Sequence, residues 1–98
     1  MSFTKNVEPL GTPGVSRQLT AGATTANTAL TAGLFRISIR ATGGDIRFSI
    51  GQGTQTASAT SHFIGQDERL DFSVTNGSNI AVIRAGSSNG VLEVTELV

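Results

Sequence analysis

The chain has no cysteine, no tryptophan and no tyrosine, and its 98 residues include one histidine and two prolines. Without cysteine it can form neither a disulfide framework nor a thiolate metal site. One histidine alone cannot assemble a typical zinc site. A surface that stacks sugars or bases would want exposed aromatic rings, and five phenylalanines offer few of them. We therefore expect no metal and no cofactor.

The chain also has no net charge, because seven basic residues balance seven acidic ones. No net field exists to recruit nucleic acid or an anionic membrane. No apolar run has the form of a signal peptide or the length of a membrane span. Neither nucleic acid nor a membrane is therefore an expected partner. The six arginines outnumber the one lysine, and arginine is the cation favoured at protein interfaces.

What the chain does have is material for strands and turns. Isoleucine, leucine, valine and phenylalanine number 26, beside 13 threonines, ten serines and 12 glycines. That is enough apolar material for one core, and the polar residues suit strands and turns better than long helices. The length indicates a single domain.

Residues 34–51 alternate between apolar and polar side chains on both sides of Gly43-Gly44. A period of two is typical of half-buried strands, and two glycines can supply the positive φ angles of a type I′ hairpin loop. The pattern predicts a β-hairpin in which Ile39 faces Phe48. The same register places Arg40 opposite Arg47, a repulsive pair unless a carboxylate, from Asp71 or from another chain, sits between them.

Further strands are predicted at 16–21, 61–64, 69–74, 79–85 and 91–98, whereas 22–33 is ambiguous between a loop and a weak strand. A second hairpin, with Val74 facing Ile80, is predicted around the turn at 76–78. Six or seven short strands with turn chemistry between them indicate an all-β fold, a small antiparallel β-sandwich of jelly-roll-like form or a barrel.

Residues 1–15 break the periodic pattern, because Pro9, Gly11, Pro13 and Gly14 interrupt it. The segment is either a disordered terminus or an extended arm that docks on a neighbouring subunit. The domain organisation is then an N-terminal arm at 1–15 followed by one β-sandwich domain at 16–98. The arm carries four apolar side chains that could contact a neighbour: Phe3, Val7, Leu10 and Val15.

Two stretches resemble sites of chemistry. Residues 86–90 match the G-x-S-x-G nucleophile motif, which needs a following helix, an acid and then a histidine. The one histidine, His62, lies upstream, so a loop is the better interpretation. Asp67, Glu68 and Asp71 do not have the spacing of an EF-hand, which favours a solvated turn. No acid/base pair with a nucleophile can be proposed, and we expect no enzymatic activity.

Three stretches, at 40–53, 56–74 and 79–97, resemble short virion proteins of tailed bacteriophages. The resemblance covers roughly residues 30 to 97 and omits the arm. Its features are a glycine after the second central strand, an Ala/Thr-rich connection, an Ala-Val-Ile run and a closing Gly-x-Leu-x-Val-Thr-Glu. They correspond to Gly51, Thr56 to Thr60, Ala81 to Ile83, and Gly90 to Glu96.

This resemblance implies a capsid cement or head-decoration protein, a small β module, often trimeric, that bridges neighbouring capsomers. The implied partners are the major capsid protein and further copies of the chain as a homotrimer. The implied location is the capsid surface, after synthesis in the cytoplasm of the bacterial host. It supplies no catalytic or ligand-binding residues. An arginine face formed by Arg36, Arg40 and Arg47 would then lie near an interface.

Two alternatives remain open. A tail, neck or fibre component would share this composition and symmetry. A small-molecule or glycan-binding β module would instead need a concave polar patch.

Overall fold

The computed structural model describes residues 13–33 and 36–97, which form eight strands and, within these ranges, no helix. None of the described residues belongs to a helix that could cross a membrane. In chain order the strands are β1 (Pro13–Ala21), β2 (Ala26–Ala29), β3 (Arg36–Thr42), β4 (Ile46–Gln52), β5 (His62–Ile64), β6 (Arg69–Ser73), β7 (Ser78–Arg84) and β8 (Gly90–Leu97).

The strands form two antiparallel four-stranded sheets that pack face to face. The first sheet has the order β1-β8-β3-β6 and the second has the order β2-β7-β4-β5. Consecutive strands lie in different sheets, with β4 and β5 as the exception. This alternation is that of an eight-stranded jelly roll. The predicted small antiparallel β-sandwich is confirmed.

Both predicted hairpins are wrong. Strand β3 pairs with β6 and β8, and β4 pairs with β5 and β7, so the chain crosses between sheets at residues 43–45. Gly43 has a φ of 80°, but Gly44 does not have the positive φ that a type I′ loop also requires. In the same way β6 and β7 belong to different sheets, so Val74 does not face Ile80 across a ladder.

Alternation led to this error because it describes the inner face of a sandwich as well as that of a hairpin. Ile37 and Ile39 point from the first sheet towards the second, and Ile46 and Phe48 point back from the second sheet. Burial of these side chains supplies most of the driving force for folding. The core consists of Ala21, Leu30, Ile37, Ile39, Ala41, Ile46, Phe48, Ile64, Val74, Ile80, Val82, Leu92 and Val94.

The strand positions themselves agree well with the prediction. The ambiguous stretch at 22–33 contains the short strand β2, which pairs with β7. The strands β5, β6, β7 and β8 begin and end within one residue of the predicted bounds. Strand β1 begins at Pro13, three residues before the predicted start.

The outer faces of the two sheets differ, because the β4–β5 connection lies over the second sheet. The Gln55 backbone N–H donates to Asn27 Oδ1 at 2.8 Å, and Ser49 Oγ bonds to Gln55 Oε1 at 2.8 Å. Asn27 and Ser49 both lie beside Ala81 of β7, on either side of it, and Ala81 is fully buried. The connection therefore acts as a third layer over the second sheet.

Candidate groove between two edge strands

The candidate functional site is a groove on the flank where β5 and β6 form the edges of the two sheets. A four-residue turn, residues 65–68, joins these strands at one end of the sandwich. Between them opens a groove of about 550 Å³, a volume within the range of binding sites in proteins.

The lining of the groove is largely apolar. Phe48 of β4 and Phe72 of β6 stack with ring centroids 6.0 Å apart and an interplanar angle of 9°. The His62 ring packs against Phe48 with a centroid distance of 5.5 Å. The Phe48–Phe72 contact joins the two sheets across the groove. The apolar lining of the groove consists of Phe48, Ile50, Phe63, Leu70, Phe72 and Val74.

Phe63 forms part of the groove's rim and is 48% exposed, an unusual position for a phenylalanine. The Arg47 guanidinium lies over its ring, 5.2 Å from the centroid, in a cation–π contact. Arg47 Nη1 also donates to the Ser61 carbonyl oxygen at 2.9 Å. Arg47 thus ties the end of the β4–β5 connection to the exposed ring.

The backbone at the groove is also available for binding. In the described part of the chain, β6 pairs only with β3, and β5 pairs only with β4. Each strand therefore presents an edge to which an extended peptide can add by main-chain hydrogen bonds. An apolar floor and two free edges are the requirements for holding an extended segment.

The three arginines predicted to form one face lie on two different sheets. Arg36 and Arg40 belong to β3, whereas Arg47 belongs to β4 of the other sheet. The predicted Arg40–Arg47 pair is therefore wrong. Arg40 lies opposite Arg69 and Glu93 in its own sheet.

The carboxylate that neutralises Arg40 is not the predicted one. Arg40 Nη2 bonds to Asp67 Oδ1 at 3.2 Å, and both side chains are well exposed, so the pair adds little stability. Arg69 lies opposite Arg40, and its Nη1 donates to Ser38 Oγ at 2.9 Å. Asp71 lies opposite Ser38. An interface role for Arg36, Arg40 and Arg47 stays a prediction.

Of the predicted arm residues, Phe3, Val7 and Leu10 lie outside the described residues. Val15 lies in β1 and is 46% exposed. Residues 13–15 are part of a strand of the first sheet, where Pro13 pairs with Leu97 and a register shift follows before Ser16.

The opposite flank, where β1 and β2 are the edges, contains a buried ion pair. Glu96 is 1% exposed and accepts bonds from Arg17 Nε at 3.0 Å and from the Thr31 backbone N–H at 3.1 Å. Burial alone raises the pKa of Glu96, but the hydrogen bonds from Thr31 and the charge of Arg17 outweigh it. The net pKa is below its ordinary value.

The stretches that resemble sites of chemistry lie in connections. Of residues 86–90, the first four lie in the connection between β7 and β8, and Gly90 begins β8, so a strand follows instead of a helix. Arg84 Nη1 donates to Asn89 Oδ1 within this connection. Asp67 and Glu68 lie in the turn between β5 and β6, as predicted. Across residues 13–33 and 36–97, no three acidic or histidine side chains come together as metal ligands.

The groove was not foreseen from the sequence. Leu70 and Phe72 alternate correctly for a strand, so they were assigned to the core, and they are only half-buried because they line the groove at its edge. One signal was present: His62, Phe63 and Phe72 lie on the two strands that flank the four-residue turn. A cluster of rings on neighbouring edge strands points to an open flank.

No protein-family model matches the sequence, and no curated protein does. Two solved structures are similar in fold. One is a crystal structure of PirA, with a TM-score of 0.58 and 20% identity over 83% of this chain and 92% of that one. The other is a solution NMR structure of a de novo designed double-stranded β-helix. Its TM-score is 0.54, with 16% identity over 85% of this chain and 99% of that one. At these identities the likeness shows the fold alone.

Proposed function

We propose that this chain is a structural virion protein of a tailed bacteriophage, a capsid cement protein that bridges neighbouring capsomers. The observation that carries a structural role is the apolar groove between two free strand edges, since such a feature suits contact with another polypeptide. The resemblance of residues 30–97 to phage virion proteins is the reason for assigning the chain to a phage particle.

Two residues that carry the resemblance, Ala81 and Gly90, lie where the fold tolerates few alternatives, which supports the proposal. A Cβ atom on Gly90 would lie 3.0 Å from the carbonyl oxygen of Thr42 and 3.2 Å from that of Gly44, and both are backbone atoms. Ala81 is fully buried in the face that the β4–β5 connection overlies. At these two positions the shared motifs therefore reflect close packing in addition to ordinary strand alternation.

The mechanism would be stabilisation by many modest contacts. The partners would be the major capsid protein and other copies of the chain, arranged as a symmetric homo-oligomer, most simply a trimer. Each contact buries little area, and the summed attachment is strong because the contacts of one oligomer are linked.

Electron microscopy of particles made with and without this protein tests the proposal. We expect added density between capsomers, in many copies over the head, and earlier heat-induced loss of DNA from particles that lack it. Density in a few copies at the tail or neck would overturn the cement assignment and favour the tail, neck or fibre alternative.

The volume of the groove also favours a second candidate, a small-ligand-binding module. Because the lining is mainly apolar, its ligand would be apolar or aromatic instead of the glycan that a polar patch would bind. A rise in the melting temperature with such a ligand, abolished by Leu70→Ser and unaffected by Thr20→Ser on β1, would favour this candidate. An unchanged melting temperature across a panel of apolar ligands would count against it.

A further inference from the structure

We propose that the groove between β5 and β6 binds residues 1–12 of a second copy of the chain, so that neighbouring copies exchange their N-terminal segments. The inference rests on the self-association contained in the proposed function and identifies the surface that would mediate it.

The first argument is chemical complementarity. The groove offers six apolar side chains and one ionised group, Asp71. Among the described residues, no ion pair involves Asp71. The N-terminal segment carries Phe3 and Val7 on either side of Lys5, the single lysine of the chain. In an extended conformation these three side chains share a face. The segment therefore offers apolar side chains and one ammonium group to a groove whose lining is apolar apart from a few polar residues and one carboxylate, that of Asp71.

The second argument is position. Across the first sheet Pro13 pairs with Leu97, Leu97 with Arg36, and Arg36 with Ser73. The N-terminal segment thus joins the sandwich at the end where the groove is lined by Ser73 and Thr75. Three strand spacings separate the two points, about 14 Å. A smaller cavity of about 230 Å³ lies between them and is lined by residues that include Leu97 and Phe72.

The third argument concerns which copy supplies the segment. Twelve extended residues span up to about 40 Å, enough to reach either groove. Proline disfavours the helical conformation in the residue before it, so Pro9 and Pro13 bias Glu8 and Thr12 towards extended backbone. If residues 1–12 continue the direction of β1, they lead away from its own sheet. Entry into its own groove would require a reversal, whereas a neighbour at this end can receive the segment as it leaves.

Disulfide trapping tests the proposal directly, because the chain has no cysteine of its own. Full-length chains carrying Val7→Cys are mixed with full-length chains carrying Thr75→Cys under mild oxidation. Thr75 is exposed at the groove. The control replaces Thr20, which is exposed on β1 at the opposite flank. We expect a cross-linked pair with Thr75→Cys and at least tenfold less with Thr20→Cys. Equal yields, or no cross-link with Thr75→Cys, would overturn the proposal.

A chain that carries both Val7→Cys and Thr75→Cys shows whether the segment in the groove comes from the same copy or from a second copy. Exchange predicts cross-linked species of two or more chains at low protein concentration. A cross-link confined to single chains would show that the segment folds back on its own copy, and exchange would be rejected.

A charge swap provides an independent measurement that leaves the core untouched. Lys5→Asp and Asp71→Lys should each raise the dissociation constant of self-association by about twofold to fivefold, and the double variant should restore it. Absence of restoration would contradict the proposed pairing of the two residues. All these measurements use purified protein, so a failure here is distinct from failure to find the protein on a capsid.

Discussion

The two flanks of the sandwich have the same strand arrangement but different side chains between their edge strands. On each, two edge strands from opposite sheets are joined by a four-residue connection, residues 22–25 on one flank and 65–68 on the other. On the β1–β2 flank, Arg17 and Thr31 bind the buried carboxylate of Glu96. On the β5–β6 flank, phenylalanine rings line an open groove.

The difference shows that topology fixes where the edges lie, whereas a few side chains decide whether a flank closes. A buried carboxylate needs every hydrogen bond it can obtain, so Glu96 holds β8 and β1 to the β2–β3 connection in one arrangement. Apolar side chains impose no such demand, because the burial of apolar surface is non-directional and a displaced ring leaves no polar group without a partner. We therefore expect the closed flank to be rigid and costly to alter, and the open flank to be adaptable.

The largest expected effect is on the closed flank. Glu96→Ala would leave Arg17 without its carboxylate and the Thr31 backbone N–H without an acceptor, and should lower the free energy of unfolding by roughly 2–3 kcal/mol. Urea denaturation measures this. Glu93→Ala, an exposed acid on the same strand, serves as the control and should change it by less than about 0.5 kcal/mol. Equal effects would contradict a special role for the buried pair.

Acid should weaken the closed flank by a smaller amount, because protonation leaves the Glu96 side chain in place. The ordinary pKa of 4.5 applies in the unfolded chain, and the folded pKa is lower. Between these two values the unfolded chain binds more protons, so this contribution is complete above pH 4.5 and declines as pH falls through the folded pKa. Urea midpoints from pH 7 to pH 3 should fall more steeply for the native chain than for Glu96→Gln. Parallel curves would refute this.

Substitution of one glycine on each flank tests whether the closed flank is more rigid than the open one. A Cβ atom at Gly90, which pairs with Ala21 of β1, would meet the backbone oxygens of Thr42 and Gly44 at 3.0 and 3.2 Å. Gly90→Ala should cost about 1–3 kcal/mol. At Gly51, beside the groove, the obstacle is the end of the Gln55 side chain, which can move, so Gly51→Ala should cost under about 1 kcal/mol. Urea denaturation of both variants checks the order, and a larger cost at Gly51 would reverse the comparison.

The smallest effect on stability belongs to the rim of the groove. Phe63→Ala removes a half-exposed ring and its contact with Arg47, and should change the free energy of unfolding by no more than about 1 kcal/mol. Light scattering at several protein concentrations should nevertheless show weaker self-association. A much larger loss in the free energy of unfolding would show that the rim is part of the core and would contradict an adaptable open flank.

Much of the fold could be predicted from the sequence, because alternation is a local property. The alternating pairs Ile37 and Ile39, or Ile80 and Val82, predict a strand without any information about which strand pairs with it. Pairing could not be predicted in the same way. Strands adjacent in sequence are usually neighbours in space, and the glycines at 43 and 44 favoured that arrangement, but here the chain crosses to the opposite sheet.

The candidate site was harder to predict for a related reason. Whether Phe72 is a core residue or a groove residue depends on which strand closes the flank beside it, and no strand in the described part of the chain does. Glu96 was equally hidden, since a carboxylate in an alternating strand predicts a solvated face. Its burial depends on Arg17, which is 79 positions away in the sequence.

The position of β8 between β1 and β3 has a consequence for the order of events during folding. Within the described residues β1 pairs with β8 alone, so β1 has no partner until the ribosome has released residues 90–97. Pairings that distant in sequence close slowly, because loop entropy is lost before any contact compensates for it. Strand β1 is therefore the last to join its sheet. A nascent or truncated chain without β8 could not hold β1 in the first sheet, so an early stop would leave both β1 and β3 with an unpaired edge.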